Sequence, residues 1–165
     1  MFGKSKASAT ESKKKTTTKK DVIETVRRAF ETTGLKYNYN SAREVFITCF
    51  EGDDLPITIN IAVHDRVLRF VCPLDLKAKE GNYKDVLWEL NGINKDLLFG
   101  AFYLDPEDGM IAFEYSFPFM EADVSPEFVL IFIKLCKETV DAHDGDLKAI
   151  GEYVSVSHRD TVMYG

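Results

Sequence analysis

A chain of 165 residues that is 45% hydrophobic and 29% charged has the length and composition of one globular domain, and none of its apolar runs approaches the roughly 20 residues that a membrane-crossing helix needs. Its net charge of −6 is unevenly divided: residues 1–20 carry seven lysines against Glu11, a net +6, while residues 21–165 carry 14 basic and 26 acidic side chains, a net −12. A body of that sign repels phosphate backbones, which disfavours nucleic acid as a partner and leaves any such contact to the first twenty residues.

Residues 1–20 are almost all Lys, Ser, Thr, Ala and Gly without an apolar period, so a disordered basic tail is expected there. The folded domain is expected over 21–146 and a weakly patterned extension over 147–165. The lysines precede no apolar stretch and Phe2 stands where myristoylation requires glycine, so a cytoplasmic location is expected.

A first helix is expected over Asp21–Thr33, with Val22, Ile23, Val26, Ala29 and Phe30 on one face, Asp21 as its cap and Gly34 as its end. Tyr37–Ser41 follows, and then Glu44–Glu51, Leu55–His64 and Val67–Leu74 read as three strands of an antiparallel meander. Ile57, Ile59, Ile61 and Val63 alternate with Thr58, Asn60 and Ala62, so one sheet face is expected to be buried and the other partly wet. Cys49 shares a parity with Val45 and Ile47, and that side is expected to be core.

A second helix is expected over Tyr83–Ile93, capped by Asn82, with Tyr83, Val86, Leu87, Leu90 and Ile93 inward and Trp88 on the other side. Leu98–Leu104 and Met110–Phe117 form a hairpin across Asp105-Pro106-Glu107-Asp108-Gly109. Ser125-Pro126-Glu127 opens a third helix that is expected to run to Ala142, apolar over so wide an arc that more than one neighbour must cover it. Beyond Gly145 only a short turn is expected.

This order, α-β-β-β-α-β-β-α, predicts an α+β domain with an antiparallel sheet packed by helices. Within it stand Leu90-Asn91-Gly92-Ile93-Asn94, Gly100-Ala101-Phe102-Tyr103-Leu104-Asp105, the turn at Asp108-Gly109, Ile111-Ala112-Phe113-Glu114-Tyr115 and Ser125-Pro126-Glu127. In these segments the chain resembles the type III secretion chaperone-like fold and, more specifically, the YbjN-like family of bacterial sensory transduction regulators, over about residues 21–145. The resemblance implies a non-enzymatic domain, often dimeric, that holds or regulates a partner polypeptide, and it supplies no catalytic residues.

The residues themselves offer little chemistry. Cys49, Cys72 and Cys136 are odd in number, far apart and set in apolar stretches, which points to reduced thiols rather than to disulfides or zinc. No glycine-rich phosphate loop, HExxH or paired CxxC is present. Ser155, Ser157, His158 and Asp160 follow no nucleophile elbow, and Cys49 with His64 would need a shared cleft. The acids from Asp141 to Asp146, with Glu152, offer an alternative reading as a metal-dependent enzyme or sensor, but counting from Asp141 puts His143 at position three, Gly145 at five and Asp146 at six, unlike a calcium loop. A solvated helix end is the expectation there. A further alternative is an adaptor tethered through the lysines of residues 1–20.

No catalytic, cofactor or metal residue is therefore assigned. The leading expectation is a homodimeric protein-binding module. Its partner surface is placed on the sheet face opposite the helices, at Phe46, Phe50, Thr58, Asn60, Arg69 and Glu114, with the neighbourhood of Trp88 as a second surface.

Overall fold

The computed structural model describes residues 17–119 and 122–154. The first helix, α1 (Lys19–Thr33), starts two residues before the expected position because Thr18, not Asp21, is its cap. The Thr18 hydroxyl accepts from the Asp21 N–H, and the Asp21 carboxylate accepts in return from the Thr18 N–H. This capping box satisfies two backbone donors that a helix start otherwise leaves open.

Strands β1 (Asn38–Asn40), β2 (Val45–Phe50), β3 (Ile57–Val63) and β4 (Val67–Lys77) form the meander. Helix α2 (Tyr83–Asn94) leads to the hairpin β5 (Ala101–Leu104) and β6 (Met110–Pro118), and helix α3 (Pro126–Ile150) leads to β7 (Glu152–Tyr153). Among the described residues this is one antiparallel seven-stranded sheet in the order β1-β2-β3-β4-β6-β5, with β7 beside the far end of β4. Helices α1 and α3 lie against each other and against the central strands, while α2 packs on β5.

The core lies between the sheet and this helix layer. Val22, Val26, Ala29 and Phe30 of α1 share one buried cluster with Ile57, Ile59, Ile61 and Val63 of β3 and Leu68, Phe70, Cys72 and Leu74 of β4. Period 3.6 on the helix and period 2 on the strands thus supply one shared apolar layer.

Three further elements depart from expectation for identifiable reasons. Strand β4 runs on past Leu74 through a bulge between Pro73 and Leu76, where Asp75 adopts φ 52°, and its end pairs with both β6 and β7. Strand β5 starts at Ala101 rather than Leu98 because Gly100, at φ 68°, turns the chain first. A side chain at Gly100 would place its Cβ 2.4 Å from the ring of Phe113, so the close approach also requires glycine.

Helix α3 continues eight residues beyond Ala142 because Leu147 is buried in the core and Asp144 is bound by backbone N–H groups of the β2–β3 loop. Gly145 costs about 1 kcal/mol inside a helix, which these contacts outweigh. Its missing side chain also relieves the approach of Asp54, whose Oδ2 would lie 3.3 Å from an added Cβ.

Candidate partner-binding surfaces

The strand register decides which residues can face a partner. Phe46 is opposite Ile61 and Phe50 is opposite Ile57, so both share the parity of the buried isoleucines on the helix-covered face. Phe46 is fully buried, its ring 6.0 Å from Phe30 and 4.4 Å from Tyr39, with the Arg27 guanidinium over it. The expectation that Phe46 and Phe50 stand with Thr58 and Asn60 on the opposite face is therefore corrected. Strand β2 is apolar on both parities, and what selects the register is the largest ring going beneath α1, with the Thr48 hydroxyl satisfied by donation to the Lys36 carbonyl at 2.9 Å.

The same one-residue shift moves Cys49 out of the core. It is half-buried on the opposite face, 3.3 Å from the Thr58 hydroxyl, whereas Cys72 and Cys136 are buried.

Thr58, Asn60, Arg69 and Glu114 do share that opposite face. One row across it reads Ile47, Asn60, Val71, Glu114 and Ala101, and the next reads Val45, Ala62, Arg69 and Ser116. Arg69 reaches diagonally to Glu114 with both arms of its guanidinium, Nε to Oε1 at 2.6 Å, and the Ser116 hydroxyl donates to the same carboxylate at 3.0 Å. This bidentate geometry lowers the Glu114 pKa below its ordinary value against the opposing effect of partial burial, and it raises that of Arg69. Partial burial, followed by the Glu114 charge, raises that of neighbouring Tyr103. The face thus presents half-buried aliphatic groups around a fixed ion pair.

A second surface surrounds α2. Trp88 points away from the core with three-quarters of its area exposed, as its off-stripe position implies. Leu87, expected inward, is also exposed: only Val86 and Leu90 are fully covered, with Tyr83 and Ile93 half-covered, because α2 offers β5 a narrow stripe.

Leu98 and Phe99, displaced from β5 by the turn at Gly100, add two more exposed apolar groups, and Ile131 on α3 a third. Between residues 96–99 and α3 lies an apolar cavity of about 240 Å³, floored by Phe113 and Tyr115 of β6 and walled by Leu97, Phe99, Phe132 and Leu135. Tyr115 stacks on Phe132 at 4.5 Å, and Phe99 meets Tyr115 edge-on at 6.1 Å. The Leu97-Leu98-Phe99 run between Asp96 and Gly100 was the one sequence signal for this site, since a strand starting there would have ended in a left-handed glycine.

The acidic cluster has a different task. Asp144 is buried and its Oδ2 accepts from the N–H groups of Asp54 and Leu55 at 2.9 and 3.0 Å, while Asp141 Oδ1 accepts from the Asp53 N–H at 2.9 Å. Lys148 donates to Asp54 at 3.2 Å. The expected solvated helix end is instead a clamp on the β2–β3 loop. Among the described residues no group of three or more His, Cys, Asp or Glu side chains is arranged to hold a metal ion. Ser155, Ser157, His158 and Asp160, and five of the seven lysines of the basic segment, lie outside the described residues. Lys19 pairs with Glu44 and, at 3.8 Å, with Asp65. No described helix is long and apolar enough to cross a membrane.

Among solved structures the chain is similar to YbjN from E. coli, described as "a putative transcription regulator", with 14% identity over 78% of this chain and 94% of that chain and a TM-score of 0.62. It is also similar to the Yersinia pestis type III secretion chaperone SycH, solved in complex with a stable fragment of YscM2, with 13% identity over 72% of this chain and 96% of that chain and a TM-score of 0.46. No curated protein matches the chain. The model of the YbjN family, "Putative bacterial sensory transduction regulator", matches residues 23–148, from within α1 to within α3, and the chain belongs to that family.

Proposed function

We propose that this protein is a non-enzymatic regulatory or chaperone-like module that binds a polypeptide partner and works as a homodimer in the cytoplasm. The observation that carries the reading is the concentration of exposed large apolar side chains, Leu87, Trp88, Leu98, Phe99 and Ile131, on α2, the loop after it and α3. Exposed apolar groups scattered singly need no explanation, but two of these, Leu98 and Phe99, also line an apolar cavity, as befits an interaction surface. The family description agrees with a regulatory role.

The dimer is assigned to the outer face of α2, where Trp88 and Leu87 are adjacent in sequence and both exposed. A two-fold axis there would pair the two tryptophans' surroundings with their own copies. Light scattering over a hundred-fold range of concentration tests this: a dimer that dissociates on Trp88→Ala is expected, and a strict monomer throughout would refute the dimer. Chemical cross-linking in the native cell followed by mass spectrometry tests the polypeptide partner, with a single enriched protein expected and none enriched counting against the binding role.

A further inference from the structure

The cavity beside α3 is a socket that runs inward from the loop after α2. We infer that it is a binding site for a small uncharged aromatic molecule of one or two rings, an inference that goes beyond the polypeptide-binding role and does not rest on it.

Size sets the class of ligand. At about 240 Å³ the space exceeds the roughly 150 Å³ that suffices for benzene in an apolar protein cavity, and it falls short of the roughly 300–1,000 Å³ of sites for drug-sized molecules. Its inner walls Phe113, Phe132 and Cys136 are buried, while Leu98 and Phe99 stand exposed at its edge. The space thus extends beneath the surface, behind two apolar side chains that project outward. A free ligand needs only to pass these two groups, whereas a side chain on a second copy must also seat its backbone against them.

The lining sets the chemistry. Phe99, Phe113, Tyr115 and Phe132 bring four rings to the space. The stacked Tyr115–Phe132 pair and the edge-on Phe99 are arrangements that aromatic rings prefer among themselves, so a further ring finds faces and edges to meet. The charged groups beside the lining are matched pairs, Lys95 with Asp96 at 3.8 Å and Lys134 with Glu138 at 3.6 Å, and favour neither sign. An ionised ligand would leave water for walls that supply no counter-charge, a cost that an uncharged one avoids. Thr139 brings one hydroxyl to the lining, enough for one polar atom on the ring system.

The test uses the full chain at neutral pH and four probes: indole, indole-3-carboxylate, phenol and cyclohexanol. Amide NMR shifts on titration with indole should map to Phe99, Phe113, Leu135 and Thr139 and saturate with a Kd on the order of 0.1 mM, the range for a ligand of so few atoms. Indole-3-carboxylate should bind about tenfold or more weakly than indole, and cyclohexanol about threefold or more weakly than phenol, the scale of an aromatic pair. Thr139→Phe, which fills the socket from a half-buried position, should weaken indole about tenfold or more. If that variant does not fold, the shift map of the parent decides. The inference is overturned if indole leaves the lining amides unmoved, if the carboxylate binds as tightly as indole, if cyclohexanol matches phenol, or if folded Thr139→Phe binds as the parent does. Lining shifts that grow with protein concentration and no probe would replace it with a second copy as the occupant. A polypeptide cross-linked in the native cell, with no response to indole, would refute this inference and leave the polypeptide-binding role standing.

Discussion

Asp144 and Leu55 are 89 residues apart in the chain, and the carboxylate of the first accepts the backbone N–H of the second at 3.0 Å inside the protein. The same oxygen takes the N–H of Asp54, so one buried carboxylate satisfies two amides of the β2–β3 loop and ties it to the last turns of α3. Removing the carboxylate strands both donors where water reaches them poorly. Asp144→Ala is expected to cost about 3 kcal/mol, and Asp144→Asn, which keeps a neutral acceptor in place, about 1 kcal/mol. Urea unfolding of the three proteins checks the order; equal stability would show that the loop does not depend on this bond.

That contact also explains where the sequence was opaque. The alternation in β3, the stripe of α1, the Asp105–Gly109 turn and the Ser125-Pro126 start of α3 are local patterns, and each is visible from a few neighbouring residues. The continuation of α3 through Gly145 depends on a partner 90 residues away, so no local pattern carries it. Strand β2 failed differently. With Val45, Phe46, Ile47, Cys49 and Phe50 all apolar, either face could be read as inward, and only the packing of Phe46 under Phe30 and Arg27 decides. The candidate surface split accordingly: Thr58, Asn60, Arg69, Glu114 and Trp88 are accessible, while the socket beside α3 had no signature beyond a short apolar run before a glycine.

The commitment of Asp141 and Asp144 to backbone amides predicts the response to metal ions. A divalent cation that took Asp141 Oδ1 and Asp144 Oδ2 as ligands would displace three N–H donors, at roughly 1–3 kcal/mol for each donor left unsatisfied. Calorimetric titration with calcium, magnesium and zinc is expected to show no binding at these acids, measured against Asp141→Asn as a control. Heat that disappears in that variant would restore the cluster as a metal site.

The Arg69–Glu114 pair predicts an acid dependence of stability. Glu114 has its pKa below the ordinary 4.5 in the folded protein, chiefly through the Arg69 guanidinium, so between the folded and unfolded values the unfolded chain binds more protons. Its contribution is fully present above about pH 5 and is lost as the pH falls below 4.5 and through the folded value. Because the pair is partly exposed, its worth is about 1 kcal/mol. Glu114→Gln should be less stable by that amount at pH 7 and converge with the parent as the pH falls through the folded value. Parallel pH profiles for the two proteins would assign the acid dependence to other groups.

Asn94 closes the open side of the sheet, and its removal should change how the protein associates. Strand β5 ends the strand order and pairs with β6 along one side only. On its other side the Asn94 amide donates through Nδ2 to the Phe102 carbonyl and accepts through Oδ1 from the Phe102 N–H, both at 2.8 Å. The side chain thus occupies the place of a neighbouring strand, which blunts an edge that would otherwise offer its backbone to another chain. Asn94→Ala forfeits two hydrogen bonds and is expected to cost about 2 kcal/mol. It should also produce slow, concentration-dependent growth in light scattering, because the edge at Phe102 becomes available for strand addition. Asn94→Asp separates the two effects: its carboxylate can still accept the Phe102 N–H but repels the carbonyl, so stability should fall while the added charge suppresses growth. If Asn94→Ala loses stability without associating, the edge is protected by the packing of α2 and not by this amide.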